Sequence, residues 1–238
     1  MRIFVAGSSG AIGRRLMPLL LGAGHDVTGM TRSADAARAL KAAGVTPAVA
    51  DVYDAEGLKR TVVAARPDVV MHQLTDLPRV FDEAQAAAQY PGNARIRLEG
   101  TRNLVAAAKA AGARRFIVQS AAFVYLPGKE PHPETDPLNL VEGPRLPTVR
   151  AVADMEQQVL NSGMEAVVLR YGLFYGPGTW TETPGRKPSL HIDAAANAAL
   201  LSLLGKPGTY NIADDDGTVS IDKARKEFGF DPAFRLKA

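Results

Sequence analysis

The sequence predicts an α/β fold, a doubly wound parallel sheet, and three observations carry that expectation. Short β-branched apolar runs alternate with helical stretches across short connections. The run from Pro67 to Leu74 is almost continuously apolar, as a strand buried on both faces has to be. The chain opens with Arg2-Ile3-Phe4-Val5-Ala6, then a glycine-rich turn, then a helical pattern with Ile12, Leu16, Leu19 and Leu20 on one side.

That turn reads Gly7-Ser8-Ser9-Gly10-Ala11-Ile12-Gly13. Gly7 permits the tight bend, Gly10 lets a phosphate approach the backbone, and Gly13 lets the helix pack close to the strand. The helix start offers unpaired N–H groups and a positive dipole end, a place for the pyrophosphate of a dinucleotide.

The remaining elements follow in order. Residues 25–31 read as a second strand, and Ser33 caps a helix over 34–43 that Gly44 stops. A third strand covers 45–51, and Asp54 caps a helix ending near Ala65. After the fourth strand, 79–90 is alanine-rich and helical, and Pro91-Gly92 is expected to interrupt it. Asn93 then opens a long helix through Ala111, and 115–120 is the fifth strand. Six prolines between 127 and 147 make 126–147 a surface loop. Thr148 is expected to cap a helix to about Asn161, 164–170 is the sixth strand, and 171–188 is irregular. A helix within 191–204, a short strand over 208–212 and a helix capped by Ser220 complete the chain. The strand ends at Gly7, Thr31, Asp51, Leu74-Thr75 and Ser120 should line one crevice, because such sheets bind ligands beyond their carboxyl edges.

Composition narrows the classes. The chain has 238 residues, 46% hydrophobic, enough for a full core. With no cysteine there is no disulfide and no thiolate chemistry. The four histidines (His25, His72, His132, His191) show no metal-ligand spacing, so no metal is expected. A net charge of +3 with interspersed signs argues against nucleic acid as a partner. No eighteen-residue apolar run is present, so no membrane association is expected and the simplest setting is cytoplasmic.

The second strand ends Thr31-Arg32-Ser33, with no acid before Asp35. An NAD-binding turn usually has a carboxylate there to accept from the ribose 2′-hydroxyl. Its absence, with a guanidinium fork beside it, favours NADP over NAD.

Further motifs run through the chain: Pro67-Asp68-Val69-Val70-Met71-His72, Gly100-Thr101-Arg102-Asn103-Leu104, Arg115-Phe116-Ile117-Val118-Gln119-Ser120, Leu169-Arg170-Tyr171-Gly172, Tyr175-Gly176-Pro177-Gly178 and His191-Ile192-Asp193. With the glycine turn, they resemble the extended short-chain dehydrogenase/reductase family, the NAD-dependent epimerases and dehydratases, over almost the whole length. The resemblance implies a Rossmann-type domain over 1–238, with residues 172–190 and 205–238 supplying a shortened C-terminal lobe. It places cofactor contacts on Gly7, Ser9, Gly10, Ala11, Ile12 and Gly13, on Thr31, Arg32 and Ser33, and on Asp51 and Val52 beside the adenine. Gln73, Leu74, Thr75, Ser120, Tyr171 and Phe174 fall on the ribose and nicotinamide side. Asp51 reads equally well as a helix cap. The resemblance also implies a homodimer through the helices near 93–111 and 148–161, with Ala107, Ala108 and Ala151 allowing close approach.

The family's chemistry uses Tyr and Lys four residues apart on one helix, with a Ser or Thr after the fifth strand. The lysine's charge lowers the tyrosine's pKa so that it exchanges a proton at neutral pH. Aligned on Glu156 and on Val124-Tyr125, those positions hold Thr148, Val152 and Ala121, and the chain reads as lacking a Tyr-x-x-x-Lys spacing altogether. Tyr125 and His191 stand as substrate-side candidates, although a histidine before a buried Asp is more often a structural hydrogen-bonder. Two functions remain open. One is an NADP(H)-binding epimerase/dehydratase-like oxidoreductase acting on a small molecule with a non-standard proton donor, its catalysis in question. The other is a dinucleotide-binding redox sensor or regulatory subunit without hydride chemistry.

Overall fold

The computed structural model describes residues 1–77, 86–141 and 143–236, with backbone alone for 86–90. Among them, seven strands form one sheet in the order β3-β2-β1-β4-β5-β6-β9. These are β1 (Arg2–Ala6), β2 (Asp26–Thr31), β3 (Thr46–Val49), β4 (Val69–His72), β5 (Arg115–Ala121), β6 (Glu165–Tyr171) and β9 (Gly208–Ile212). Each neighbouring pair is parallel. The chain winds outward from β1 to β3, returns to β4 beside β1, and winds the other way. That reversal leaves the crevice over β1 and β4.

Side-chain alternation explains why the strands are apolar throughout. Ile3, Val5, Val69, Met71, Ile117, Val167 and Leu169 enter one core with Leu16 and Leu20 of α1 (Ala11–Gly22) and the alanines of α7 (Ile192–Leu201). Phe4, Ala6, Val70, Phe116, Val118 and Val168 enter the opposite core. There they meet Leu58 and Val62 of α3 (Ala55–Ala65), Leu104 of α5 (Thr101–Ala110) and Met155 of α6 (Leu146–Leu160). The period of two thus delivers apolar groups to both faces.

Four expectations need correction. Pro91-Gly92 does not break the helix: α4 (Ala86–Arg95) runs through both and passes by a π turn, Ile96–Gly100, into α5. A side chain at Gly92 would meet the exposed Asp76 carboxylate, which would have to swing aside. The first part of the alanine-rich stretch, 79–85, lies outside the described residues. Thr148 is not a cap: α6 starts at Leu146, with Pro147 in the first turn, where its missing N–H costs nothing. The segment 171–188 is not wholly irregular, because β7 (Leu173–Tyr175) pairs in parallel with β8 (Ser189–His191). Finally, Ala107, Ala108 and Ala151 are buried within the chain's own core, so they cannot form an intersubunit seam. The outward faces of α5 and α6 carry Arg102, Ala106, Lys109, Arg150, Asp154 and Gln157 instead. The other helices are α2 (Ala34–Ala42) and α8 (Asp222–Phe228), and no helix is long and apolar enough to cross a membrane among the described residues.

Candidate functional site

The glycine turn closes against β4. Gly7 has φ +95°, and a Cβ there would lie 2.6 Å from the Gln73 carbonyl oxygen. A Cβ on Gly13 would strike the Gly7 and Ser8 carbonyls, so the helix can sit this close only without one. Ser8 is buried and its hydroxyl donates to the Met30 carbonyl at 2.8 Å, which ties the turn to β2. Gly10 caps α1 with no side-chain acceptor, and the first turn holds no acidic residue. The first amides of α1 therefore stay open to an anion.

Around this turn stand the other expected residues. Thr31 is buried, and its Oγ1 accepts from Ser33 N at 3.2 Å and lies 3.4 Å from Ser9 Oγ. Ser33 caps α2, its Oγ accepting from Ala36 N at 3.3 Å, while Arg32 projects exposed. Asp51 caps no helix: its Oδ1 accepts from Tyr53 N at 2.9 Å, and Asp54 caps α3 through Gly57 N. Val52 is buried and packs under Gly100.

At the end of β4, Gln73 is 5% exposed; neither its amide oxygen nor its nitrogen has a partner at full hydrogen-bond geometry, and the Tyr171 hydroxyl lies against it. A buried amide with unmet hydrogen-bonding capacity, beside a turn made close by glycine, suits the polar groups of a dinucleotide. The residues present fit that group. Gln119 donates from Nε2 to the Leu74 carbonyl at 3.0 Å and fixes the next residue along, with Thr75 exposed beyond it. His72, fully buried, accepts from Leu74 N on Nδ1 (3.2 Å), so its Nε2–H donates to Thr101 Oγ1 (3.0 Å). Burial pushes its pKa down to about 3, with the Arg97 charge adding to the shift.

The hydroxyls expected near the crevice are all committed. Ser120 donates to Glu156 Oε1 at 2.5 Å. Glu156 is also clamped by Arg170, Nε to Oε1 at 2.9 Å and Nη2 to Oε2 at 2.7 Å, in a pair buried on both sides. Tyr125 accepts from Arg170 Nη1 at 2.8 Å and donates to Asn211 Oδ1 at 2.6 Å. Burial raises its pKa. Tyr171 is 2% exposed, burial raises its pKa too, and its hydroxyl donates to the Ala195 carbonyl at 3.4 Å and also lies against the Gln73 side chain. Phe174 lies tilted against the Tyr171 ring at 5.5 Å. His191 is the N-cap of α7: its Nδ1 accepts from Asp193 N at 3.2 Å, and burial lowers its pKa. Of its two readings, the structural one describes this geometry.

The match to known proteins agrees with this architecture. The model of the NAD dependent epimerase/dehydratase family matches residues 3–221. The chain belongs to the NAD dependent epimerase/dehydratase family. It is 39% identical to a 3-diazoavenalumate denitrifying reductase of Streptomyces sp over 91% of this chain and 77% of that protein. It is similar in structure to a UDP-glucose 4-epimerase of Thermotoga maritima with UDP-glucose (TM-score 0.79, 18% identity, 99% of this chain and 94% of that one). A UDP-glucose 4-epimerase of Thermus thermophilus in complex with NAD is also similar (TM-score 0.74, 24% identity, 98% and 85% of the two chains).

The positions to which the family resemblance assigns proton transfer, Ala121, Thr148 and Val152, lie on β5 and α6. Ala121 and Val152 share one small apolar cluster with Val124 and Val149, and Thr148 sits one turn before Val152 on α6. One statement about the sequence is corrected here. The Tyr-x-x-x-Lys spacing does occur once, as Tyr125-Leu126-Pro127-Gly128-Lys129. It lies outside any helix, with Tyr125 buried and Lys129 exposed, so the two side chains do not share a helix face. The Glu156–Arg170 clamp and the Gln119–Leu74 bond went unread in the sequence. Glu and Arg fourteen residues apart on different elements leave no local signal.

Proposed function

We propose that the chain is an NADP(H)-dependent reductase of a small electrophile whose reduction leaves no alkoxide to be protonated. The apolar wall of Ala121, Val149 and Val152, where the family's proton relay would stand, is the observation that supports this reading. A bound nicotinamide would supply the hydride. In this reading α1's first amides, with Gly7, Ser9, Gly10, Ala11, Ile12 and Gly13, hold the pyrophosphate. Thr31, Arg32 and Ser33 face the 2′-phosphate, and Asp51 and Val52 flank the adenine. Gln73, Leu74, Thr75, Ser120, Tyr171 and Phe174 frame the ribose and nicotinamide, the Gln73 amide meeting its remaining hydrogen-bonding capacity there. Residues 172–190 and 205–238 form a reduced lobe over the substrate, and the protein acts as a homodimer.

The similar denitrifying reductase bears a diazo compound in its name. Reduction of an aryl diazonium carbon by hydride forms a C–H bond while the C–N electron pair departs with dinitrogen. No oxyanion arises, so no tyrosine–lysine pair is called for. Diazo-type electrophiles are therefore the substrate class favoured here over nucleotide sugars.

The test follows NADPH oxidation with an aryl diazonium salt and, in parallel, with UDP-glucose. Turnover of the diazonium salt alone is expected, and turnover of the sugar nucleotide would refute the reading. Tight NADP(H) binding with no turnover on either would favour the second function, a dinucleotide sensor, which the committed hydroxyls also suit. Calorimetry on wild type and Arg32→Ala checks the cofactor. One charge-assisted hydrogen bond contributes about 1.5–3 kcal/mol, so the variant should lose roughly ten- to hundredfold in NADPH affinity. An unchanged affinity would remove Arg32 from the site.

A further inference from the structure

Arg97 lies in the π turn between α4 and α5, where it is part-buried. It makes no hydrogen bond and no ion pair with any described residue. Two carboxylates on neighbouring elements are spent elsewhere. Glu99 is held by Arg95 at 2.7 Å, and Glu156 by Arg170 and Ser120. Burial alone pulls the Arg97 pKa down to about 10, so it stays charged at neutral pH. A guanidinium has five donors and no acceptor, and holding one half-buried without a counter-charge is costly. A perturbed charged group at the mouth of a crevice is a candidate binding group.

Its place in the fold says what it could bind. In a parallel sheet the helix that follows a strand starts at the carboxyl edge, and Thr101 at the start of α5 touches His72 at the end of β4. Arg97 precedes Thr101 by about one turn, so it stands beyond the strand ends, at the level of Gln73 and Leu74. The π turn also packs on α6, whose Val149 and Val152 line the apolar wall with Ala121. The open amides of α1 belong to the β1 side of the crevice. A guanidinium fork near the end of β4, on a turn that packs against the helix carrying the apolar wall, matches a planar carboxylate attached to an apolar or aromatic body.

We propose that Arg97 recognises a carboxylate of the substrate, and that the substrate is an apolar organic acid. The proposal rests on the reading of this crevice as a reductase site. Calorimetric titration with cinnamate and with uncharged cinnamamide tests it, each with and without saturating NADP⁺. Wild type should bind cinnamate at least about tenfold tighter than the amide, the yield of one charge-assisted pair. Arg97→Gln should erase that difference and leave NADP⁺ affinity unchanged. Equal binding of the two probes to wild type, or a preference that survives Arg97→Gln, overturns the proposal. Arg97→Met gives a second reading. Its melting temperature without ligand should equal or exceed that of wild type, because the charge removed has no partner. A drop of several degrees would mark a structural cation and also overturn the proposal. If cinnamate is discriminated but NADP⁺ does not bind wild type, the anion site stands and the reductase reading fails alone.

Discussion

His72 makes acid stability a measurable property of the site. Its ring is fully buried and neutral, and its folded pKa is about 3 against the ordinary 6.5. The unfolded chain therefore takes up a proton that the folded chain refuses. Stability is complete above pH 6.5 and falls as pH drops from there towards 3. At pH 5 the unfolded ring is almost fully protonated, 1.5 pH units below its pKa, which costs about 2 kcal/mol. His25 and His191 also have lowered pKa values from burial and add in the same direction, so a substitution is needed to isolate His72. Urea unfolding of wild type and His72→Gln at pH 7.5 and pH 5 does so. The variant loses hydrogen bonds to Thr101 and Leu74 and should be weaker at both pH values. Its further loss between them should be about 2 kcal/mol smaller than that of wild type, or roughly 1 M in the urea midpoint at a slope of 2 kcal/mol/M. Parallel pH dependence in the two proteins would refute the argument.

Two further outcomes are expected. Glu156→Gln removes the carboxylate charge facing the buried Arg170 and leaves one acceptor oxygen to serve both Arg170 and Ser120, so it should destabilise by about 3–5 kcal/mol in the same urea assay. A loss below about 1 kcal/mol would mean the clamp is solvated. Light scattering at micromolar concentration should give twice the chain mass. Substituting Ala106 on the outer face of α5 with Glu should reduce it to one chain, and a wild-type monomer would remove the dimer.

The fold could be read because its signals are local. Alternating residues such as Ile3/Phe4 and Val69/Val70 serve opposite cores, so an unbroken apolar run already implied a sheet covered on both faces. Gly7 and Gly13 meet carbonyls within a few residues or one strand away, and their spacing carried that information. What escaped was non-local. Pro91 and Gly92 read as a break, although α4 runs through both and only its packing beside the loop after β4 shows it. Tyr125 read as a candidate donor, and only the convergence of Arg170 and Asn211 from two other strands shows its hydroxyl is already used. Arg97 carries no local signal, and its lack of a partner among the described residues is visible only in three dimensions.

The π turn at Ile96–Gly100 has a consequence for how the long crossover tolerates change. An i→i+5 bond takes in one residue more than an α-turn, and one residue is worth about 100° of rotation. The stretch thus acts as a phase shifter. Downstream, Leu104, Ala107 and Ala108 keep their bearing on the sheet. Upstream, Asn93 keeps its own bearing, accepting from Asp76 N at 3.2 Å. A single deletion between 96 and 100 would restore even winding and swing Asn93 away from Asp76. A substitution such as Arg97→Gln keeps the count and leaves both halves aimed as they are. Chain length, more than residue identity, is what the two halves of this crossover share.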